Sequence, residues 1–212
     1  MGRPPPRASS APRLILASAS PRRRELLARL GLPFAVRVPA VDESPRPGEA
    51  PEALARRLAL AKALAVAREE PGAVVLGADT LVVVEGEVLG KPAGREEALA
   101  MLGRLSGRAH EVLTAVAAAG PGERPPQVLL QRSRVRFRPL RPGEAAWYWE
   151  TGEPADKAGA YAVQGIGAMF IRRLEGSPSA VMGLPLCETA ELLAARGLAP
   201  WAAGEGSGGG GP

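Results

Sequence analysis

The chain has a single cysteine, Cys187, and a single histidine, His110. One cysteine cannot build a disulfide framework within the chain, and one Cys with one His cannot furnish the four ligands of a structural zinc site. The same shortage removes a Cys-His dyad from consideration. A chain free of disulfides suits a reducing compartment, so a cytoplasmic location is expected. No stretch approaches the roughly 18 uninterrupted apolar residues of a membrane helix, and the first residues carry no apolar core of a secretory signal, so no membrane partner is expected. Glycine-rich loops of the Walker and dinucleotide types are absent as well. Lysine is the other scarcity: it occurs only at Lys62, Lys91 and Lys157, so arginine supplies 24 of the 27 basic residues.

What is present is an ordinary globular composition, with 46% hydrophobic and 23% charged residues over 212 positions. That length predicts one compact domain, of two lobes around a cleft. Residues 1–12 read as a disordered Pro/Arg-rich tail, residues 13–200 as the folded domain and residues 201–212 as a disordered Gly-rich tail. The 27 basic and 22 acidic residues leave a net charge of +5, which points to a polyanionic partner. Most of the arginines read as solvated surface. The lysines are more informative, because a chain that otherwise takes arginine keeps lysine where a compact point charge is needed.

Between the tails, strand-like and helix-like runs interleave. Leu14 to Ala17 reads as a strand, and Ser20 as the N-cap of a helix with Pro21 in its first position. Phe34 to Val38 predicts a second strand, and Pro51 to Arg68 an alanine-rich amphipathic helix containing Lys62. A long apolar run, Ala73 to Val84, is followed by Glu87 to Leu89, which pairs back on it through Gly86. Glu96 to Leu105 predicts a helix, Glu111 to Ala118 a strand, and Gln127 to Leu140 an antiparallel strand whose Arg134, Arg136 and Arg138 face solvent. Pro142 to Thr151 predicts a helix, Ala168 to Leu174 a strand, and Leu186 to Arg196 a closing helix. The class is α/β with a mixed twisted sheet and flanking helices.

Three segments concentrate unusual chemistry. Ser18-Ala19-Ser20-Pro21-Arg22-Arg23 joins a strand to a helix, where free N–H groups, hydroxyls and forked arginine donors suit a phosphate; an ordinary capped helix with solvated arginines reads equally well there. Gly77-Ala78-Asp79-Thr80 puts a carboxylate inside an apolar stretch, where it costs several kcal/mol unless paired, metal-bound or open to a cleft. If Glu87 to Leu89 folds back on the preceding strand, Lys91 returns towards that carboxylate. Glu153 to Gly167 packs Asp156, Lys157, Gln164 and several glycines into a loop that reads as a binding wall.

Taken together and in this order, SASPRR, LGADT, GKP, LSGRAHEV and DKAGAYAVQG resemble the Maf family of nucleotide pyrophosphatases, over about Arg13 to Gly197. The resemblance implies hydrolysis of a nucleoside triphosphate to the monophosphate and pyrophosphate, with a divalent metal, Mg2+ or Mn2+. It implies a house-cleaning role, and the family name records a link to inhibited septum formation. Carried over motif by motif, Asp79 matches the proton acceptor, Ser18 and Arg22 bind substrate, and Arg22, Thr80 and Gln164 match specificity positions. Glu43 matches an acidic position assigned here to metal beside Asp79. Lys62, Lys91 and Lys157 also fall on motif positions. The subgroup acting on 7-methyl-GTP has glutamine in place of Thr80 and glutamate in place of Gln164, so this chain follows the dTTP/UTP subgroup.

A physical argument runs alongside. Gln164 offers one acceptor and one donor, matching the N3–H donor and O4 acceptor of uracil or thymine, whereas a cationic methylated guanine would favour a carboxylate. The alternatives are a pyrophosphatase for 7-methyl-GTP or another non-standard nucleotide, and a basic nucleic-acid-binding protein. With the intact motifs no nucleic acid is expected as partner, and a homodimer is compatible with the sequence. His110 reads as a structural hydrogen-bonding residue and Cys187 as a buried small hydrophobe.

Overall fold

A computed structural model describes residues 12–121 and 124–201. The expected tails, residues 1–12 and 201–212, lie outside the described residues apart from one position each. One mixed sheet of seven strands runs through the molecule in the order β2-β1-β3-β5-β6-β7, with β4 on the outer half of β3. β1 (Arg13–Ala17) is parallel to β2 (Phe34–Arg37) and to β3 (Ala73–Val84). β4 (Glu87–Leu89), β5 (Ala109–Ala119), β6 (Gln127–Phe137) and β7 (Ile171–Glu175) pair antiparallel.

Helix α1 (Pro21–Ala28) starts where Ser20 accepts the Arg23 N–H and Pro21 occupies the first turn. Helix α2 (Pro51–Ala67) places Ala55, Ala59, Ala63 and Val66 on one buried stripe, at helical spacing. That stripe lies on alternate residues of β5, Ala115, Ala117 and Ala119. The intervening Val116 and Ala118 face the opposite layer, where Leu26 and Leu27 of α1 meet Leu192 and Leu193 of α6 (Leu186–Ala194). Small residues on both sides bring α2 close. A Cβ on Gly77 of β3 would stand 2.3 Å from the Ala59 carbonyl oxygen.

The far end of the sheet has its own core. Helices α3 (Arg95–Leu105) and α4 (Glu144–Glu150) pack there with Val82, Val135, Phe137 and Phe170. Val135 and Phe137 are buried while Arg134 and Arg136 are exposed, as the alternation of β6 requires. Helix α5 (Pro178–Met182) lies between β7 and α6 in the chain.

Two expectations need correction. The segment expected as a strand from Ala168 begins instead with a 3-10 turn, Ile166–Phe170, and β7 starts only at Ile171. The Ala168 N–H donates to the Gly165 carbonyl at 3.1 Å within that turn, so it is not free for a sheet ladder. Cys187 is exposed, because α6 buries Thr189, Leu192 and Leu193 and a residue two positions before Thr189 falls on the opposite side of the helix.

Candidate active site

β1 ends at Ala17, opposite Gly77 of the parallel β3. The next residue of each strand's path therefore leads to one place: Ser18 to Ser20 turn into α1, and Ala78 to Thr80 continue beside them. Ligands of open α/β sheets bind at such carboxyl ends of parallel strands. A cavity of about 650 Å³ opens there. Ser18, Arg22, Glu43, Lys62 and Asp79 line it, together with Thr80, Lys91, Lys157 and Gln164. Residues from the β1-α1-α2 end and from the 156–164 loop thus face one space.

Asp79 and Lys62 form the buried centre. Lys62 continues the inward stripe of α2, and its Nζ donates to Asp79 Oδ1 at 2.7 Å. Their residues are 5% and 6% exposed, so neither charge could remain there without the other or an equivalent partner. Glu43 reaches the same ammonium from the loop before α2, with Oε1 at 2.9 Å. That loop is held by Arg57, which donates to both Glu49 oxygens at 2.7 and 2.8 Å and to the Ser44 carbonyl at 3.0 Å. The Arg57 guanidinium draws the Glu49 carboxyl down to about 2.

The β3–β4 hairpin forms as expected and brings exposed Lys91 to the cavity wall, yet the ion-pair partner of Asp79 is Lys62. At the mouth, Arg22 donates to Asp156 at 3.2 Å, and Asp156 also accepts from Lys157. Two cations and one carboxylate therefore bridge α1 to the 156–164 loop.

Arg23 is a residue that sequence reasoning left unassigned within its arginine run. Its Nη2 donates to Thr80 Oγ1 at 3.2 Å and its Nε to the Gly183 carbonyl at 2.9 Å. Desolvation lowers its pKa, against the pull of Asp79 and Glu43. Thr80 Oγ1 also lies 3.2 Å from Thr114 Oγ1, whose hydroxyl donates to the Ala180 carbonyl at 2.7 Å. The signal available in the sequence was the run of three arginines, Arg22 to Arg24, after the N-cap; which one turns inward was not. His110, buried, has Nε2 2.8 Å from the Tyr161 hydroxyl, in line with a structural role. Of the aromatic trio on α4, Tyr148 is fully buried and Trp147 exposed.

Among the described residues no group of three or more His, Cys, Asp or Glu side chains is arranged to hold a metal ion. Two carboxylates do converge. Lys62 takes Oδ1 of Asp79 and Oε1 of Glu43, which leaves the second oxygen of each for a hard cation. A magnesium-type ion is commonly held by one or two carboxylates with waters and substrate phosphates completing the shell, so this donor set fits one.

The Maf-like protein family profile matches residues 13–196. A protein of Myxococcus xanthus named dTTP/UTP pyrophosphatase is 56% identical over 191 residues, covering 90% of this chain and 96% of its own length. One of Methylococcus capsulatus with the same name is 57% identical over 187 residues, covering 88% and 92% respectively. A third, from Symbiobacterium thermophilum and named alike, is 53% identical over 193 residues, covering 91% and 98%.

Proposed function

The chain belongs to the Maf family, and from that premise we propose that its cleft hydrolyses dTTP and UTP to the monophosphate and pyrophosphate. The observation that carries this reading is the buried Lys62–Asp79 pair on the wall of a cavity that also holds Arg22, Lys91, Lys157 and Gln164. A triphosphate needs cations along its length, and a water attacking the α-phosphorus needs a carboxylate to accept its proton.

Asp79 accepts that proton, with Lys62 fixing the carboxylate's orientation from below. Arg22, Lys91 and Lys157 hold the polyphosphate, and Ser18, at the end of β1, adds a hydroxyl. Pyrophosphate departs opposite the incoming water, and its growing negative charge falls to the same cations. Glu43 and Asp79 would hold a divalent cation, Mg2+ or Mn2+, which would supply charge neutralisation on the phosphate oxygens. Gln164 reads the base through its carboxamide, and Thr80, oriented by Arg23, stands at the second specificity position.

A panel of dTTP, UTP, CTP, GTP and 7-methyl-GTP with Mg2+, read by pyrophosphate release, tests this. dTTP and UTP are expected to be hydrolysed at least about tenfold faster than the others, the discrimination of a pocket whose polar groups would be left unpaired by the wrong base. A preference for 7-methyl-GTP or GTP would overturn the assignment.

A further inference from the structure

Gln164 is exposed, and what holds it lies on either side of it. Two residues before it, the Ala162 N–H donates to the Tyr148 hydroxyl oxygen at 3.1 Å. Two and three residues after it, the Ile166 N–H donates to Glu153 Oε2 at 2.8 Å and the Gly167 N–H to Oε1 at 2.9 Å. Tyr148 closes the circuit by donating its own proton to Glu153 Oε1 at 2.5 Å.

Every member is fixed in turn. Tyr148 is fully buried, with its ring edge-on to Phe170 at 5.2 Å. Burial, and then the neighbouring carboxylate, push its pKa up, so the hydroxyl stays a donor. Burial pushes the Glu153 carboxyl up as well, but the hydrogen bonds from Tyr148, Gly167 and Ile166 outweigh it and hold the carboxyl below its ordinary value, an ionised acceptor. The approach is too close for side chains in between. A Cβ on Gly165 would stand 2.1 Å from Glu153 Oε2, and one on Gly167 2.5 Å from the Tyr148 hydroxyl.

We propose that Tyr148 and Glu153 are positioning residues for base selectivity, clamping the loop by its amides so that the Gln164 carboxamide is held at the uracil or thymine edge. This rests on the reading of Gln164 as the residue that pairs with the base. Uracil presents a donor at N3 and an acceptor at O4, and cytosine presents the reverse. A carboxamide can turn end for end to match either base, so the distinction requires Gln164 to be held where one orientation is served, and a loop free to shift by about an ångström loses much of it.

The test is the ratio of kcat/KM for UTP to that for CTP, with a thermal melt of each variant. Glu153→Gln keeps the shape but turns one acceptor into a donor, which then confronts either the Ile166 amide or the Tyr148 and Gly167 donors. Tyr148→Phe keeps the packed ring and removes the hydroxyl. In each the ratio is expected to fall about tenfold, chiefly through a higher KM for UTP. Gln164→Ala should lower the ratio as well, and adding Tyr148→Phe to it should lower it no further.

If Gln164→Ala lowers the ratio while Tyr148→Phe and Glu153→Gln leave it within about twofold, the clamp is overturned and the base-reading role stands. An equal loss of kcat on both nucleotides, as a merely structural role would give, overturns it too. A ratio unmoved by Gln164→Ala overturns the reading on which the clamp rests. Should Glu153→Gln fail to fold, Tyr148→Phe decides alone.

Discussion

Asp79 lies within a run of apolar residues, and its carboxylate is stable there because Lys62 Nζ stands 2.7 Å away. The exposed Glu43 is a second partner for that ammonium at 2.9 Å. Asp79→Asn therefore leaves Lys62 a charged neighbour, and the fold should persist while turnover of UTP falls about 10²- to 10⁴-fold, the contribution of a positioned base. Steady-state kinetics beside a circular-dichroism melt would check this, and a near-normal kcat would remove Asp79 as proton acceptor. At this scale the sequence was legible where a residue type is costly in its local setting. An aspartate among valines and three lysines among arginines announce themselves without a structure. Their partners do not: the sequence reading turned Lys91 towards Asp79, whereas the buried stripe of α2 delivers Lys62. The inward turn of Arg23 was not legible for the same reason, since two of its acceptors, Thr80 and Gly183, are 57 and 160 residues away in the chain.

Elements were legible wherever one face meets the core. The stripe of Ala55, Ala59, Ala63 and Val66 and the alternation of Val135 and Phe137 both follow from repeat geometry, so α2 and β6 could be read directly. What the repeats do not state is how near two elements come. Gly77 fixes that distance for α2 and β3, because its missing side chain admits the Ala59 carbonyl. Gly77→Ala is expected to push α2 outward, destabilising the protein by about 1–3 kcal/mol and, by drawing Lys62 off Asp79, lowering turnover as well. Urea unfolding together with kcat would measure both, and an unchanged unfolding midpoint would show that the helix yields freely. The start of β7 is later than expected because the Ala168 N–H closes a 3-10 turn on the Gly165 carbonyl, so the apolar residues up to Phe170 pack inward without joining the ladder.

At the scale of the whole molecule, pH acts on a buried imidazole. His110 is 2% exposed and joins β5 to the 156–164 loop through Tyr161, and burial pulls its imidazole down to about 4 from the ordinary 6.5. The unfolded chain therefore binds the proton first as pH falls from 6.5 towards 4, so stability is full above that window and is lost through it. Urea unfolding should show about 2 kcal/mol less stability at pH 5 than at pH 7.5, and His110→Gln should flatten that slope. An equal slope in the variant would assign the loss elsewhere. Glu49 and Glu144, drawn down to about 2 by Arg57 and Arg138, give up their contribution only below about 4.5 and so do not enter the comparison of pH 5 with pH 7.5. The net charge of +5 likewise resolves into local roles, with Arg57, Arg132 and Arg138 spent on neighbouring carboxylates and only a few cations on the cleft. By itself the sequence determined the α/β class, most of the elements though not α5, the family motifs and the residue types a triphosphate would require, because periodicity and local chemistry are written in adjacent positions. Only the tertiary structure decided which lysine meets Asp79, which arginine turns inward and what clamps the Gln164 loop, because those contacts join segments far apart in the chain and exist only once the sheet has packed.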